Sequence, residues 1–115
     1  GLAVGPAVRR ISVYRDAPGL DEDTVAAQDR VLFEAADSGV GRSPDWSVAR
    51  RLGQRTELIL AGGLDPDNVA DAIRQVRPWG VDVSSGVESQ RGVKDLARIA
   101  AFVAAVRDTE SNDGD

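Results

Sequence analysis

The stretch Glu57-Leu58-Ile59-Leu60-Ala61-Gly62-Gly63-Leu64-Asp65-Pro66 decides the fold. Leu58 to Ala61 is apolar at every position, so both faces of an extended strand would be apolar, which favours a parallel strand covered on both sides. Gly62-Gly63 breaks the run. Asp65 then stands at an N-cap position with Pro66 at the first helical position. Val69, Ala72, Ile73 and Val76 follow at i, i+3, i+4, i+7 spacing, which predicts an amphipathic helix that Pro78 ends. One continuous segment therefore encodes strand, tight turn and helix.

The same order extends in both directions. Downstream, Gly80 to Ser84 reads as another strand, and Leu96, Ile99, Ala100, Val103 and Val106 mark a last amphipathic helix. Upstream, Ala7 to Val13 predicts a first strand, Pro18-Gly19 a turn, Asp21 to Arg30 a short helix, and Val31-Leu32-Phe33 a buried strand ending in Glu34. Asp37 to Pro44 is a loop, after which Asp45 caps a helix through Trp46, Val48, Ala49 and Leu52 that Gly53 stops. Strand and helix alternate about four times over residues 1–107, which points to parallel βαβ units and an α/β fold. Residues 108–115 read as a polar, disordered tail. A doubly wound sheet and a closed barrel both fit this order. A complete (βα)8 barrel needs at least about 200 residues, so 115 residues supply about half of one, with two open sheet edges.

Composition narrows the chemistry. The chain has no cysteine and no histidine, which removes disulfides, thiolate metal sites, thiol nucleophiles and the commonest acid–base side chain. Catalysis would rest on carboxylates, hydroxyls, arginines and backbone. A net charge of −5, with thirteen arginines scattered among acids, argues against a nucleic-acid partner. No apolar run approaches the roughly 18 residues of a membrane span, and the opening Gly1-Leu2-Ala3-Val4-Gly5-Pro6 lacks a signal-peptide pattern. A cytoplasmic location without a membrane partner is expected.

Two strand-to-helix turns stand out as an anion site. Gly62-Gly63 follows one buried strand, and with no side chains it lets backbone N–H groups approach a ligand. Ser84-Ser85-Gly86 repeats the arrangement after the next strand and adds two hydroxyls, with a short helix expected near Val87. Adjacent turns of this kind hold a phosphate after the seventh and eighth strands of phosphate-binding barrels.

Three ordered segments carry a resemblance. Leu60-Ala61-Gly62-Gly63-Leu64-Asp65-Pro66-Asp67-Asn68-Val69, then Arg77-Pro78-Trp79-Gly80-Val81-Asp82-Val83-Ser84-Ser85-Gly86-Val87-Glu88, then Gly92-Val93-Lys94-Asp95 resemble the C-terminal part of the phosphoribosylanthranilate isomerase family. The likeness reaches back through Asp45-Trp46 to Glu34, whereas residues 1–30 match poorly. It implies the C-terminal half of a (βα)8 TIM barrel and an Amadori rearrangement of N-(5-phosphoribosyl)anthranilate in tryptophan biosynthesis, with no metal and no organic cofactor. It also implies that Gly62, Gly63, Ser84, Ser85 and Gly86 hold the substrate phosphate and that Asp82 contacts the substrate near the reacting amine. Strand parity agrees independently, because Val81 and Val83 can face the helices while Asp82 and Ser84 face the other way.

Such a rearrangement needs an acid for the ribose ring oxygen and a base for the proton on the adjacent carbon. In the family these are an aspartate ending the sixth strand and a cysteine on the first. Glu34 occupies the acid's position and shares parity with Leu32, but its extra methylene moves the proton donor by roughly one ångström, a displacement that can cost about a hundredfold. Asp37 is the alternative acid if the register shifts, and otherwise belongs to a solvated loop. The base has no counterpart, so the expected partners are a small sugar phosphate and a missing N-terminal half barrel, in cis or in trans. The chain then reads as a fragment, as one part of a split enzyme, or as a relative that binds phosphate without catalysis. Trp46 and Trp79 read as packing residues, Glu88 and Lys94 as surface groups or as supports behind the site, and Arg50, Arg51, Arg74 and Arg98 as solvated helix faces.

Overall fold

The computed structural model describes residues 11–35, 43–83, 85–90 and 92–113. Four strands, β1 (Ser12–Asp16), β2 (Arg30–Ala35), β3 (Glu57–Leu60) and β4 (Gly80–Val81), pair in parallel in chain order. Helices α1 (Glu22–Ala26), α2 (Trp46–Gly53) and α3 (Val69–Val76) connect them. A 3-10 turn at Ser85–Val87, an antiparallel hairpin of β5 (Glu88–Gln90) and β6 (Val93–Lys94), and α4 (Leu96–Asp113) follow.

Side-chain alternation along β2 sorts the sheet into two faces. Val31, Phe33 and Ala35 are buried, whereas Arg30, Leu32 and Glu34 are half-buried. Leu58 and Leu60 of β3 join the buried set, together with Ala49 and Leu52 of α2, Val69, Ala72 and Val76 of α3, and Phe102 of α4. These side chains form the core between sheet and helices, and full burial of each leucine or phenylalanine stabilises by about 1.5–3 kcal/mol. The other face carries the exposed Val13 with the half-buried Leu32 and Ile59. Coverage of both faces of β3, expected from its unbroken apolar run, is therefore complete on the helix side only.

At the starts of the strands, this second face is tied by charge. The Arg30 guanidinium lies 3.9 Å from the Trp79 ring centroid and donates from Nη2 to Glu57 Oε1 at 3.0 Å. Trp79 is thus a half-exposed stacking platform for an arginine, where a packing residue was expected.

Several element boundaries differ from the sequence reading. The first strand falls at Ser12–Asp16, while residues 7–10 of the expected strand lie outside the described residues. Arg30 begins β2 instead of closing a helix, so α1 is a single short turn. Strand β4 ends at Val81, although the Asp82 amide still donates to Leu60 O at 2.9 Å. The helical turn near Val87 ends there instead of starting there, and gives way to the unforeseen hairpin. Helix α4 continues to Asp113 through the segment read as a disordered tail, because Thr109 is buried and its hydroxyl donates to Val106 O at 2.6 Å.

Helix starts follow their cap residues. Asp45 accepts from the Ser47 hydroxyl at 2.6 Å and the Ser47 amide at 2.8 Å, which holds its carboxyl below the ordinary aspartate range. Asp21 is lowered in the same way by the Thr24 hydroxyl and the Asp23 amide, and Glu22 by the Arg51 guanidinium at 2.8 Å. Each group binds its proton less readily folded than unfolded. Its contribution is therefore complete above the unfolded carboxylate pKa of about 4 and is lost as pH falls through the lowered folded value. Urea midpoints should accordingly stay level between about pH 7 and 5 and drop below that. Asp45→Asn, which keeps an acceptor but has no proton to gain, should show a shallower drop. An equally steep drop in that variant would take Asp45 out of the account.

Candidate functional site

The C-terminal ends of the parallel strands bring together the residues singled out in the sequence. Gly62 and Gly63 have φ of 91° and 70°, a backbone that side chains other than glycine adopt only with strain. Helix α3 braces this turn from one side. Asn68 Nδ2 donates to Gly63 O at 2.7 Å, Asn68 Oδ1 accepts from the Asp65 amide at 2.9 Å, and Asp65 Oδ1 accepts from the amides of Asp67 and Asn68. Asp65 thus makes the capping bonds expected of it, but Asn68 is the N-cap and the helix begins one turn later, at Val69. Among the described residues, the amides of Gly62 and Gly63 make no backbone hydrogen bond, so they remain as donors at the strand ends.

The second turn sits directly against the first. A Cβ placed on Gly86 would overlap the Leu64 carbonyl oxygen and lie 2.8 Å from the Leu64 carbonyl carbon and 3.0 Å from Asp65 Cα. Glycine is required here because two backbones touch. The Ser85–Val87 turn is also anchored from behind, since Val87 is buried and its carbonyl accepts from the Asp95 amide at 2.8 Å. Arg98 donates from Nε at 3.0 Å and from Nη2 at 2.7 Å to Gly86 O. Arg98 is thus half-buried and tied to the turn, not part of a solvated face. Ser84 lies outside the described residues, as does Asp37. Ser85 opens the 3-10 turn.

The two carboxylates share a face and an end of the sheet. Leu32 pairs with Ile59 and Ile59 with Gly80, so Glu34 and Asp82, each two residues further on, project from the same side near the same end. Val81 and Val83 pack against the core, leaving Asp82 exposed on the opposite side, as parity requires. Glu34 is half-buried and pairs with Arg15, its register partner on β1, through Arg15 Nε at 3.3 Å. The end of β1 also receives the loop before α2, where the Asp45 amide donates to Asp16 Oδ2 at 2.6 Å. Among the described residues, no group of three or more Asp or Glu side chains is placed to hold a metal ion, and no helix is long and apolar enough to cross a membrane.

Sequence reading assigned no role to Asn68 or Arg98. Each turn nevertheless has one carbonyl held by a side chain from the helix that follows it. For Asn68 the available signal was its position at the start of a helix directly after a glycine turn, whereas Arg98 follows the β5–β6 hairpin, twelve residues after Gly86, and carried no such signal.

A family model described as N-(5'phosphoribosyl)anthranilate (PRA) isomerase matches residues 3–105. The chain belongs to this family. An N-(5'-phosphoribosyl)anthranilate isomerase of Roseiflexus sp. (strain RS-1) is 51% identical over 105 residues, covering 88% of this chain and 48% of the relative. The phosphoribosyl anthranilate isomerase structure from Thermus thermophilus superposes with a TM-score of 0.76 at 26% identity, over 92% of this chain and 54% of that one. A further isomerase, solved in complex with reduced 1-(o-carboxyphenylamino)-1-deoxyribulose 5-phosphate, gives a TM-score of 0.71 at 30% identity over 92% of this chain and 52% of that one. The chain therefore spans about half the length of the relatives it matches.

The contact between the two turns predicts the consequence of filling it. Gly86→Ala should push the Ser85–Val87 turn away from Leu64 and destabilise the chain by about 1–3 kcal/mol, as overpacking does. Amide shifts of Gly62 and Gly63 should move with it in an NMR spectrum. Unmoved Gly62 and Gly63 signals would mean that the two turns are independent.

Proposed function

We propose that the chain forms the phosphate-holding C-terminal half of a (βα)8 barrel that isomerises N-(5'-phosphoribosyl)anthranilate to 1-(2-carboxyphenylamino)-1-deoxyribulose 5-phosphate in the tryptophan pathway, in the cytoplasm. The observation that carries this reading is the backbone contact of Gly86 with Leu64, which sets two donor-bearing turns at neighbouring strand ends. In this reading Gly62, Gly63, Ser84, Ser85 and Gly86 hold the phosphate, leaving the ribose to extend over the face that carries Asp82 and Glu34. The isomerase solved with a reduced deoxyribulose 5-phosphate compound supports a ligand of that class.

The mechanism follows from charge. Glu34 gives a proton to the ribose ring oxygen, the bond from that oxygen to C1 breaks, and the amine nitrogen's electron pair forms an iminium. A base then removes the proton on C2, the C2 electrons neutralise the iminium as an enamine, and tautomerisation yields the ketone. Asp82, beside the amine, stabilises its positive charge while it lasts. Asp37 remains the alternative acid. The base belongs to a completing half, in cis or in trans. Among the described residues β1 and β4 are the edge strands, and these edges, with a cavity of 320 Å³ beside the start of β4 lined by Ile73, Trp79, Val81 and Val106, support such a completion.

One observation favours a second reading, a sugar-phosphate-binding half without turnover: Glu34 is engaged with Arg15. Mixing the chain with the N-terminal half of a family isomerase and following loss of the fluorescent substrate separates the two. Turnover that falls by about a hundredfold or more in Glu34→Gln supports catalysis with Glu34 as acid. Turnover equal to wild type in that variant would transfer the acid's role to Asp37, while binding with no turnover would leave only the grip.

A further inference from the structure

We propose that Arg98 is a positioning residue for the phosphate-holding turn, acting through the Gly86 carbonyl; this rests on reading the two glycine turns as a phosphate grip. Gly86 must be glycine to lie against Leu64, and glycine is the residue whose backbone is least restrained. A grip made of backbone donors works only if those donors stay aimed, so this turn needs an external restraint. Arg98 supplies it. Its guanidinium directs two hydrogen bonds, from Nε at 3.0 Å and Nη2 at 2.7 Å, onto one oxygen. A planar fork meeting a single acceptor fixes direction as well as distance, and charge-assisted bonds are stronger than neutral ones.

The restraint is itself well founded. Asp95 Oδ1 accepts from the amides of Ala97 and Arg98, which fixes the first turn of α4, and the Asp95 amide donates to Val87 O. The start of α4 and the residue before it thus hold the turn at two successive carbonyls, Gly86 and Val87. The neighbouring turn is held by the same device in neutral form, with Asn68 on Gly63 O. Arg98 therefore acts on the ligand through the turn, and its two bonding nitrogens are already committed to protein.

Titrating the full chain with inorganic phosphate, and reading the amide signals of Gly62, Gly63 and Gly86 by NMR, tests this. Arg98→Met should weaken phosphate binding by about tenfold and move the Gly86 carbonyl-carbon shift. Arg98→Lys, which keeps the charge but loses the fork, should recover only part of the affinity, and it serves as the second variant if Arg98→Met does not fold. Full recovery by lysine would overturn the proposal in favour of a direct charge effect. Wild-type affinity in Arg98→Met would overturn it outright. A wild-type chain whose three glycine signals ignore phosphate would refute the grip itself, and the role of Arg98 with it.

Discussion

Everything at the strand ends depends on one close approach, the backbone of Gly86 lying against the Leu64 carbonyl and Asp65 Cα. It requires β3 and β4 to end together, which their register achieves by pairing Leu60 with Val81 and extending one further bond to the Asp82 amide. It requires the chain after Leu60 to turn sharply, which Gly62 and Gly63 allow at positive φ. The core then holds the two turns in place, since Leu64 and Val87 are both buried. A buried pair of side chains flanking a backbone contact leaves little room to relax, so the contact acts as a spacer between the turns.

The uncovered sheet face divides its charges by end. At the strand starts, Arg30, Glu57 and Trp79 form a stacked and ion-paired cluster, with Arg30 Nε buried and lacking a partner among the described residues. At the strand ends, Arg15 and Glu34 pair more loosely, and Asp82 is exposed. A short, stacked ion pair has little left to offer a ligand, whereas the longer Arg15–Glu34 pair, with Arg15 exposed, can rearrange at small cost. The division agrees with the general location of ligand sites at the carboxyl ends of parallel strands.

What the sequence conveyed, and what it withheld, follows the range of the interactions. Leu58 to Ala61, the glycine turn and the Asp45 cap are local signals, and each appears at its expected residues. The reach of β1 beyond Val13 was missed because Arg15 and Asp16 interrupt its apolar residues, so that end owes its existence to pairing with β2 and not to hydropathy. The extension of α4 was hidden because Asp108 and Glu110 mask a single buried threonine between them. The hairpin was missed although Gly92, at φ 82°, marked its turn, because its strands are two and three residues long. Arg98 was read by composition as solvent-facing, and only the tertiary placement of Gly86 beside α4 reveals its use. The positive-φ turn at Gly62 and Gly63 and the outward side of Asp82 were legible from turn chemistry and parity, whereas the pairing of Glu34 with Arg15 required the register of β1 on β2.

The same contrast bears on the proposed division between phosphate binding and catalysis. In the proposed reading the donors of the grip come from backbone within one continuous stretch, and their supports, Asn68 and Arg98, lie five residues beyond Gly63 and twelve beyond Gly86. Acid–base work is different, because the acid and base must stand on opposite sides of the substrate, and side chains there come from strands that are distant in sequence. Holding the phosphate, remote from the bond being broken, supplies binding energy that orients the sugar for those groups. In the proposed reading, the rigidity set by the contact at Gly86 would limit how accurately Glu34 and a base supplied from elsewhere could meet the ribose.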